Sequence, residues 1–260
     1  MITHLKTSRD YLYVCIVLAP AVSTIVAGAA WRLLPFKVAA STLSIAVVLF
    51  LCSRLLMGKR IGALLPGRVA RIKVSHIGGG IMLCLMGGLH GLDAVRIIAV
   101  ACLISYGLYE CFRWIAQVQV PFITEALTVL GTPEELEAKP FLSPIYGLTG
   151  VVLVSTFFPA QIACASIAVL ALGDGVAGLV GRIAGKHPLR TGKRKSMEGS
   201  LAGLAASFIG CLLLVPIELA FAGASVGIIS EMLSTSLDDN LAVPLASALA
   251  MTLTKTFLPL

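Results

Sequence analysis

The chain has 260 residues, of which 58% are hydrophobic and only 13% are charged, and its mean hydropathy is +0.96. A soluble domain carries about 25% charged residues, so this composition excludes an ordinary soluble domain and predicts a protein with several membrane-spanning segments. The formal net charge of +7 gathers between the apolar segments, which favours an anionic ligand; no aromatic-interleaved basic face supports a nucleic-acid partner.

The apolar segments predict the fold class. They are continuous runs of roughly 15 to 20 residues, without the alternation of period two that a membrane β-strand shows. Within a bilayer only helices and closed barrels satisfy their own backbone hydrogen bonds. We therefore predict an all-α fold, a polytopic transmembrane helical bundle of about eight to nine spans.

The first half of the chain contains four predicted helices. They cover residues 11–30, 38–57, 74–90 and about 94–112. The first two form an N-terminal helix pair within residues 1–57. A basic loop over residues 58–73 follows this pair and carries Lys59, Arg60, Arg68, Arg71 and Lys73. Residues 114–142 are richer in Glu and Pro, and we predict an interfacial helix and a loop there instead of a span.

The second half contains the remaining predicted helices. They cover about 143–158, 160–179, 199–217 and 219–235, with a last helix that contains Pro244. The first two are joined by a tight uncharged turn at Phe157-Phe158-Pro159. Residues 199–235 leave two alternatives, because the chain either turns back near residue 218 or continues as one long helix over 199–222. Only the turn brings Glu231 and Asp239 to the same side of the membrane as Asp174.

The basic segments predict the membrane orientation. Four helices separate the loop at 58–73 from a second basic loop at 181–197, so both loops lie on one side, together with Lys6 and Arg9. Basic residues concentrate on the cytoplasmic side of membrane proteins. We predict an integral multi-pass protein whose site faces the cytosol, in the plasma membrane of a prokaryote or in an ER-type membrane.

The second basic loop is the most distinctive stretch. Six cations fall within residues 182–195, namely Arg182, Lys186, Arg190, Lys193, Arg194 and Lys195. Small residues and carboxylates flank them, with Asp174 before and Glu198 after. Phosphate oxygens bind Lys, Arg and backbone N–H groups, and Mg²⁺ binds carboxylates, so the stretch suits a polyphosphate and its metal ion. The alternative is a topology signal without a ligand.

Two common nucleotide motifs are excluded. Gly173-x-Gly175-x-x-Gly178 matches the dinucleotide fingerprint in spacing, but that fingerprint follows a strand in a βαβ unit, whereas these glycines follow an apolar helix. A Walker A motif is absent, since Gly181-x-x-x-Gly185-Lys186 has the wrong spacing and His187 stands where Ser or Thr is needed. A nucleotide must therefore be held by another architecture.

Individual residues of the stretch also have structural alternatives. Asp174 is an ionisable group within an apolar run, which is costly and usually functional; the alternative is a salt bridge to a neighbouring cation. The glycines expose backbone for a ligand, or serve only to pack helices closely. Lys195-Ser196-x-Glu198 is a site motif, or only a helix start with an acid in its first turn.

These residues resemble a known family. Gly173-Asp174-Gly175-x-Ala177-x-x-x-Gly181-x-x-x-Gly185-Lys186, followed by Lys195-Ser196-x-Glu198-Gly199-Ser200, is similar to the signature of the CTP-dependent isoprenoid alcohol kinases. That family includes phytol, farnesol and dolichol kinases and the yeast-type diacylglycerol kinase, and it is distantly related to phosphatidate cytidylyltransferases. Three further elements fall in the family's order: Lys73-x-x-His76, Glu110-x-x-Arg113 and Asp239-Asn240-x-x-x-Pro244, which Glu231 precedes.

The resemblance covers roughly residues 70–258 and is closest to the short phytol kinase branch. One departure is Ile72, which stands where the family has the first Arg of its early motif, so no role is carried over to Arg71. The resemblance implies a membrane-embedded kinase domain over residues 58–260. It also implies transfer of the γ-phosphate of CTP, with Mg²⁺, to the hydroxyl of a long-chain lipid alcohol at the cytosolic face.

The resemblance also implies the site residues. The expected catalytic residues are His76, Asp174, Lys195, Glu198 and Asp239. The expected metal ligands among them are Asp174, Glu198 and Asp239. The expected nucleotide-binding residues are Lys73, Gly175, Gly178, Gly181, Lys186, Arg190, Lys193, Ser196 and Asn240. Because phosphoryl transfer requires positioning and charge neutralisation, Asp174 is assigned to Mg²⁺ and Lys195 to the transferring phosphate. His76 is assigned to a phosphate contact or to the base.

Two other functions remain open at this stage. A cytidylyltransferase would share the CTP site but pass CMP to a lipid phosphate. A small-solute carrier, which is not an enzyme, would place Asp174, His76 and Glu231 along a path at mid-membrane depth. For the kinase, phytol, geranylgeraniol, farnesol, a polyprenol and diacylglycerol all present a hydroxyl on a hydrocarbon, so the acceptor is predicted only as a class.

Overall fold

The computed structural model describes residue 38 and residues 67–115, 142–189, 195–233 and 238–258. The predicted N-terminal helix pair, the predicted interfacial segment over 116–141, and Arg190 and Lys193 lie outside these ranges. Within them every regular element is helical, and the β-type pairing is a single bridge between Pro188 and Ser196. The predicted all-α class is confirmed for the described part of the chain.

The described helices follow the apolar runs. In chain order they are α1 Gly67–His90, α2 Leu92–Ile115, α3 Leu142–Phe157, α4 Ala160–Ala168, a π-helical turn Val169–Asp174, α5 Gly175–Ala184, α6 Met197–Leu212, α7 Ile217–Leu233 and α8 Asp239–Phe257. The prediction that residues 67–73 belong to a loop is wrong, because α1 already begins at Gly67. Arg, Lys and Ala are good helix formers, so basic residues mark an orientation without ending a helix.

The chain turns back between α6 and α7. Helix α6 ends at Leu212, and the backbone N–H groups of Leu214 and Val215 both donate to the carbonyl of Cys211. Pro216 has no N–H to continue the helix and directly precedes α7. This confirms the turn and excludes one long helix over 199–222.

The centre of the described bundle is α4 with the π-helical turn. Its residues are almost completely buried; Ile167 and Val169, for example, are 1% and 0% exposed. Helices α1, α3, α6, α7 and α8 all contact this segment. The six-residue π-helical turn sits where α4 passes into α5 and ends at Asp174. Because a π-helical turn holds more residues than an α-helical one, it changes the direction in which the following side chains point.

Glycines bring α5 and α6 into close contact. A Cβ at Gly199 would lie 2.6 Å from the carbonyl oxygen of Ala177, and a Cβ at Gly203 would lie 2.6 Å from that of Gly173. Neither position has room for a side chain, so the two backbones approach as they do at small-residue interfaces in membrane proteins. This contact fixes both ends of the basic loop that connects the two helices.

Two described segments are long and apolar enough to cross a membrane, Leu92–Cys111 and Ala160–Ala184. Large hydrophobic side chains are also exposed across the surface, among them Leu89, Ile104 and Phe221, and large apolar surfaces mark contact with membranes or partners. The wider expectation of eight to nine spans stays a prediction.

Candidate active site

A buried ion pair joins α1 to the π-helical turn. Lys73 Nζ donates to both carboxylate oxygens of Asp174, at 2.7 and 2.6 Å, and His76 Nδ1 lies 3.3 Å from Asp174 Oδ2. Lys73 and His76 are three residues apart and therefore share one face of α1. The Asp174 side chain is only 10% exposed. Asp174 therefore fits the salt-bridge interpretation, because it pairs with Lys73. It also fits the functional interpretation, because Lys73 and His76 are both predicted site residues.

Glycines of α5 make room for α1. A Cβ at Gly178 would lie 2.6 Å from Lys73 Cε, so the aliphatic stem of Lys73 passes over the bare backbone of that glycine. Gly175 packs in the same way against Ile77. These two predicted nucleotide-binding glycines therefore have a packing role, which lets Lys73 reach Asp174.

A second buried cluster forms around Lys195. Lys195 Nζ lies 2.7 Å from Glu231 Oε1 and 3.1 Å from Asp239 Oδ2, and it also donates to the backbone carbonyl of Glu231. Burial opposes the charged form of this amine, but the hydrogen bond and charge of Glu231, followed by those of Asp239, outweigh it and raise the pKa of Lys195. Lys195 is therefore an ammonium group at neutral pH.

The start of α8 holds Asp239 and Asn240 in place. Asp238 is the N-cap, and its carboxylate accepts a hydrogen bond from the backbone N–H of Asn240 at 2.9 Å. The Asn240 amide donates to Ser143 Oγ at 2.6 Å, which ties the start of α8 to the start of α3. Pro244 has no N–H to donate to the carbonyl of Asn240 four residues earlier.

The two clusters share one group of carboxylates. One oxygen from each of Asp174, Glu231 and Asp239 lies within 4.8 Å of the other two. Glu231 is only 4% exposed, and its Oε2 is buried without a hydrogen-bond partner. Hard divalent cations such as Mg²⁺ bind carboxylate oxygens, and an unpaired buried carboxylate oxygen is costly unless a ligand satisfies it. The donors therefore suit a hard cation.

Glu198 lies at a different place. Its carboxylate accepts a hydrogen bond from His187 Nδ1 at 2.6 Å and another from the His187 backbone N–H at 3.3 Å. Pairing of Leu189 N–H with the Lys195 carbonyl and of Met197 N–H with the His187 carbonyl closes the base of the basic loop. Glu198 fastens this base, while Glu231 takes the position in the carboxylate group that the sequence assigns to Glu198.

Three other predicted residues lie near the described ends of the basic loop. Ser196 caps α6 by accepting a hydrogen bond from the Gly199 N–H at 3.1 Å, so the helix-start interpretation describes this serine. Gly181 lies against Ser196, since a Cβ there would be 3.0 Å from Ser196 Oγ. Lys186 is exposed at the beginning of the loop. Nucleotide binding by these residues stays a prediction.

Two residues of the site have no assigned role in the kinase interpretation of the sequence, in which Glu231 only precedes the Asp239-Asn240 element. Glu231 had a usable signal, because it is an acidic residue at the end of an apolar run, as Asp174 is. Ser143 had none, since a serine at a helix start is common and its partner Asn240 lies 97 residues later.

Comparison with curated proteins gives three relatives with stated activities. The chain is 30% identical over 203 residues to the phytol kinase of Synechocystis sp., an alignment that covers 72% of this chain and 79% of the relative. It is 31% identical over 145 residues to the probable chloroplastic phytol kinase 2 of Oryza sativa subsp. japonica, which covers 49% of this chain and 46% of the relative. It is 29% identical over 132 residues to the CTP-dependent diacylglycerol kinase 1 of Schizosaccharomyces pombe, which covers 44% of this chain and 61% of the relative.

No protein-family model matches the chain. No solved structure matches it either.

Proposed function

The chain belongs to the family of CTP-dependent isoprenoid alcohol kinases, and on that basis we propose that it transfers the γ-phosphate of CTP to the hydroxyl of a long-chain isoprenoid alcohol. Phytol, geranylgeraniol and polyprenols are the acceptors of this class. One observation carries the proposal: acids and bases from distant parts of the chain lie close together, namely from α1, the π-helical turn, the segment just before α6, the end of α7 and the start of α8.

The chemistry of phosphoryl transfer explains why such a meeting point is useful. The protein contributes mainly positioning and neutralisation of charge on the triphosphate. Lys73 and Lys195 supply two ammonium groups at the site, and Lys186 and the loop cations Arg190 and Lys193 supply further contacts to the triphosphate. His76 contacts a phosphate or accepts the proton of the attacking hydroxyl.

Mg²⁺ is the proposed metal cofactor. The carboxylates of Asp174, Glu231 and Asp239 would hold it, and the unpartnered Oε2 of Glu231 supports this assignment. When bound, the ion neutralises phosphate charge as the phosphoryl group moves. Asn240, held by Ser143 and Asp238, keeps the first turn of α8 and therefore Asp239 in position.

The site residues at helix ends support a location at the membrane surface. Lys195 directly precedes the Ser196 cap of α6, Glu231 lies in the last turn of α7 and Asp239 is the first residue of α8. A lipid alcohol with its tail in the bilayer would present its hydroxyl at this level. We propose that this face is cytosolic in a multi-pass protein, because the basic loop lies beside it.

A double-labelling experiment tests the proposal. Purified protein is given CTP labelled on either the α or the γ phosphorus, with phytol, geranylgeraniol, a polyprenol or diacylglycerol as acceptor. We expect γ label, and no α label, in an isoprenoid monophosphate. Transfer of α label would instead identify a cytidylyltransferase, and labelling of diacylglycerol alone would contradict the isoprenoid assignment. Lys195→Ala is the matched inactive protein, because it should insert normally and transfer no label.

A further inference from the structure

Lysines engage four of the six oxygens in the group of three carboxylates. Lys73 holds both oxygens of Asp174, and Lys195 holds one oxygen of Glu231 and one of Asp239. The lysine side chains are 21% and 11% exposed, so both ion pairs are largely removed from water. A divalent cation that used these oxygens would share them with two ammonium groups.

The two lysines carry the same charge as one Mg²⁺ ion. Their two positive charges face the three carboxylates of Asp174, Glu231 and Asp239. Cations of like sign a few ångströms apart repel each other strongly in a partly buried site, so the ion and both ammonium groups cannot share the same oxygens at low energy. Exchange of the lysines for the ion leaves the charge of the group unchanged.

We propose that Lys73 and Lys195 are built-in counter-ions of a divalent-cation site formed by Asp174, Glu231 and Asp239. The arriving cation displaces them, and the displaced ammonium groups bind the phosphates of the nucleotide. Only one part of this proposal rests on the proposed function, namely that the phosphates belong to a nucleotide. The carboxylate group and the unpartnered Oε2 of Glu231, which gives the ion its first protein oxygen, are independent of it.

Neither lysine is held by its place in a helix alone. The stem of Lys73 crosses Gly178, which has no side chain to hold the stem in place. Lys195 precedes the Ser196 cap and lies outside α6, so movement of its amine requires no change in the hydrogen bonds of that helix. Lysine presents its charge on a flexible four-carbon stem.

Metal binding without nucleotide tests the exchange. Binding of Mn²⁺ to the purified protein is followed by electron paramagnetic resonance for wild type, Lys73→Met and Lys195→Met. Methionine keeps a stem of similar size and removes the charge. We expect each variant to bind Mn²⁺ at least about tenfold more tightly than wild type, because a competing cation has been removed. Lys255→Met is the control, since Lys255 is exposed in the last turn of α8 and should leave binding unchanged.

Glu231→Gln in the Lys195→Met background should abolish the tighter binding. The proposal would be overturned if the lysine variants bound Mn²⁺ no more tightly than wild type. The ion pairs would then only stabilise the fold. Retention of tight binding after loss of the Glu231 carboxylate would remove this residue from the site.

A measurement on the unaltered protein covers the case in which a variant does not fold. Wild-type protein is treated with an amine-reactive reagent with and without saturating Mg²⁺, and modification is read by peptide mass spectrometry. We expect Mg²⁺ to increase modification of Lys73 and Lys195 severalfold and to leave Lys255 unchanged. Unaltered or reduced modification would contradict displacement. Failure of label transfer from CTP, with these metal responses intact, would refute the proposed function and leave the counter-ion site standing.

Discussion

Replacement of Glu231 by Gln is the sharpest test of the site. The substitution keeps the shape of the side chain and removes one of the three converging carboxylates. Lys195 loses its partner at 2.7 Å but keeps Asp239 at 3.1 Å and the carbonyl of Glu231. We therefore expect the variant to fold and to insert, and to lose most of its activity.

The expected losses of stability and of activity in Glu231→Gln have different causes. Removal of one member of a buried ion pair costs about 3–5 kcal/mol when the other charge is left alone; Lys195 retains Asp239, so we expect a smaller loss of unfolding free energy, about 1–2 kcal/mol. For activity, loss of an outer-shell partner of a metal ligand costs about 10- to 100-fold. Loss of a ligand should cost at least about 100-fold in kcat/KM, which is about 2.7 kcal/mol of transition-state stabilisation.

Initial rates measured across CTP and Mg²⁺ concentrations provide the assay, with thermal unfolding in detergent as the test of folding. Glu218→Gln is the matched control, because Glu218 is an exposed acid in the first turn of the same helix, about 20 Å from Glu231 at 1.5 Å per residue. Activity of Glu231→Gln within about threefold of the control, with an unchanged requirement for Mg²⁺, would refute the assignment of Glu231 to the metal.

Three further predictions follow from the same contacts. Asp174→Asn should abolish turnover in a protein that still inserts, and near-normal activity in the label-transfer assay would remove Asp174 from the mechanism. Glu198→Gln should reduce kcat/KM less than Glu231→Gln does, since Glu198 binds His187; the reverse order would favour Glu198 as the metal ligand. Gly203→Ala should lower the unfolding free energy by about 1–3 kcal/mol through its clash with a backbone carbonyl. Gly88→Ala is the control, because the added methyl meets open space and should not lower the unfolding free energy. Equal melting temperatures of the Gly203→Ala and Gly88→Ala variants would contradict the packing argument.

The sequence determined the local features of this protein. Long apolar runs require helices, and the structure confirms helices over those that it describes. Ser196 and Asp238 each cap a helix in the way their side chains favour at such positions. An acid within an apolar run needs a partner or a function, and the structure gives Asp174 a partner in Lys73; its catalytic role stays a prediction.

The tertiary structure decided which side chains meet. Glu198 lies in the first turn of α6 and Glu231 in the last turn of α7, and neither position along the chain identifies the partner. Pairing at the base of the loop directs Glu198 to His187, and the close return of α8 on α7 directs Glu231 to Lys195. The partner of Asp174 is 101 residues away, on α1. Whether Asp174 faces that partner depends on the π-helical turn, because one residue added to a turn rotates everything after it by about 100°. That turn packs against several other helices, and the order of residues along one helix does not contain those contacts.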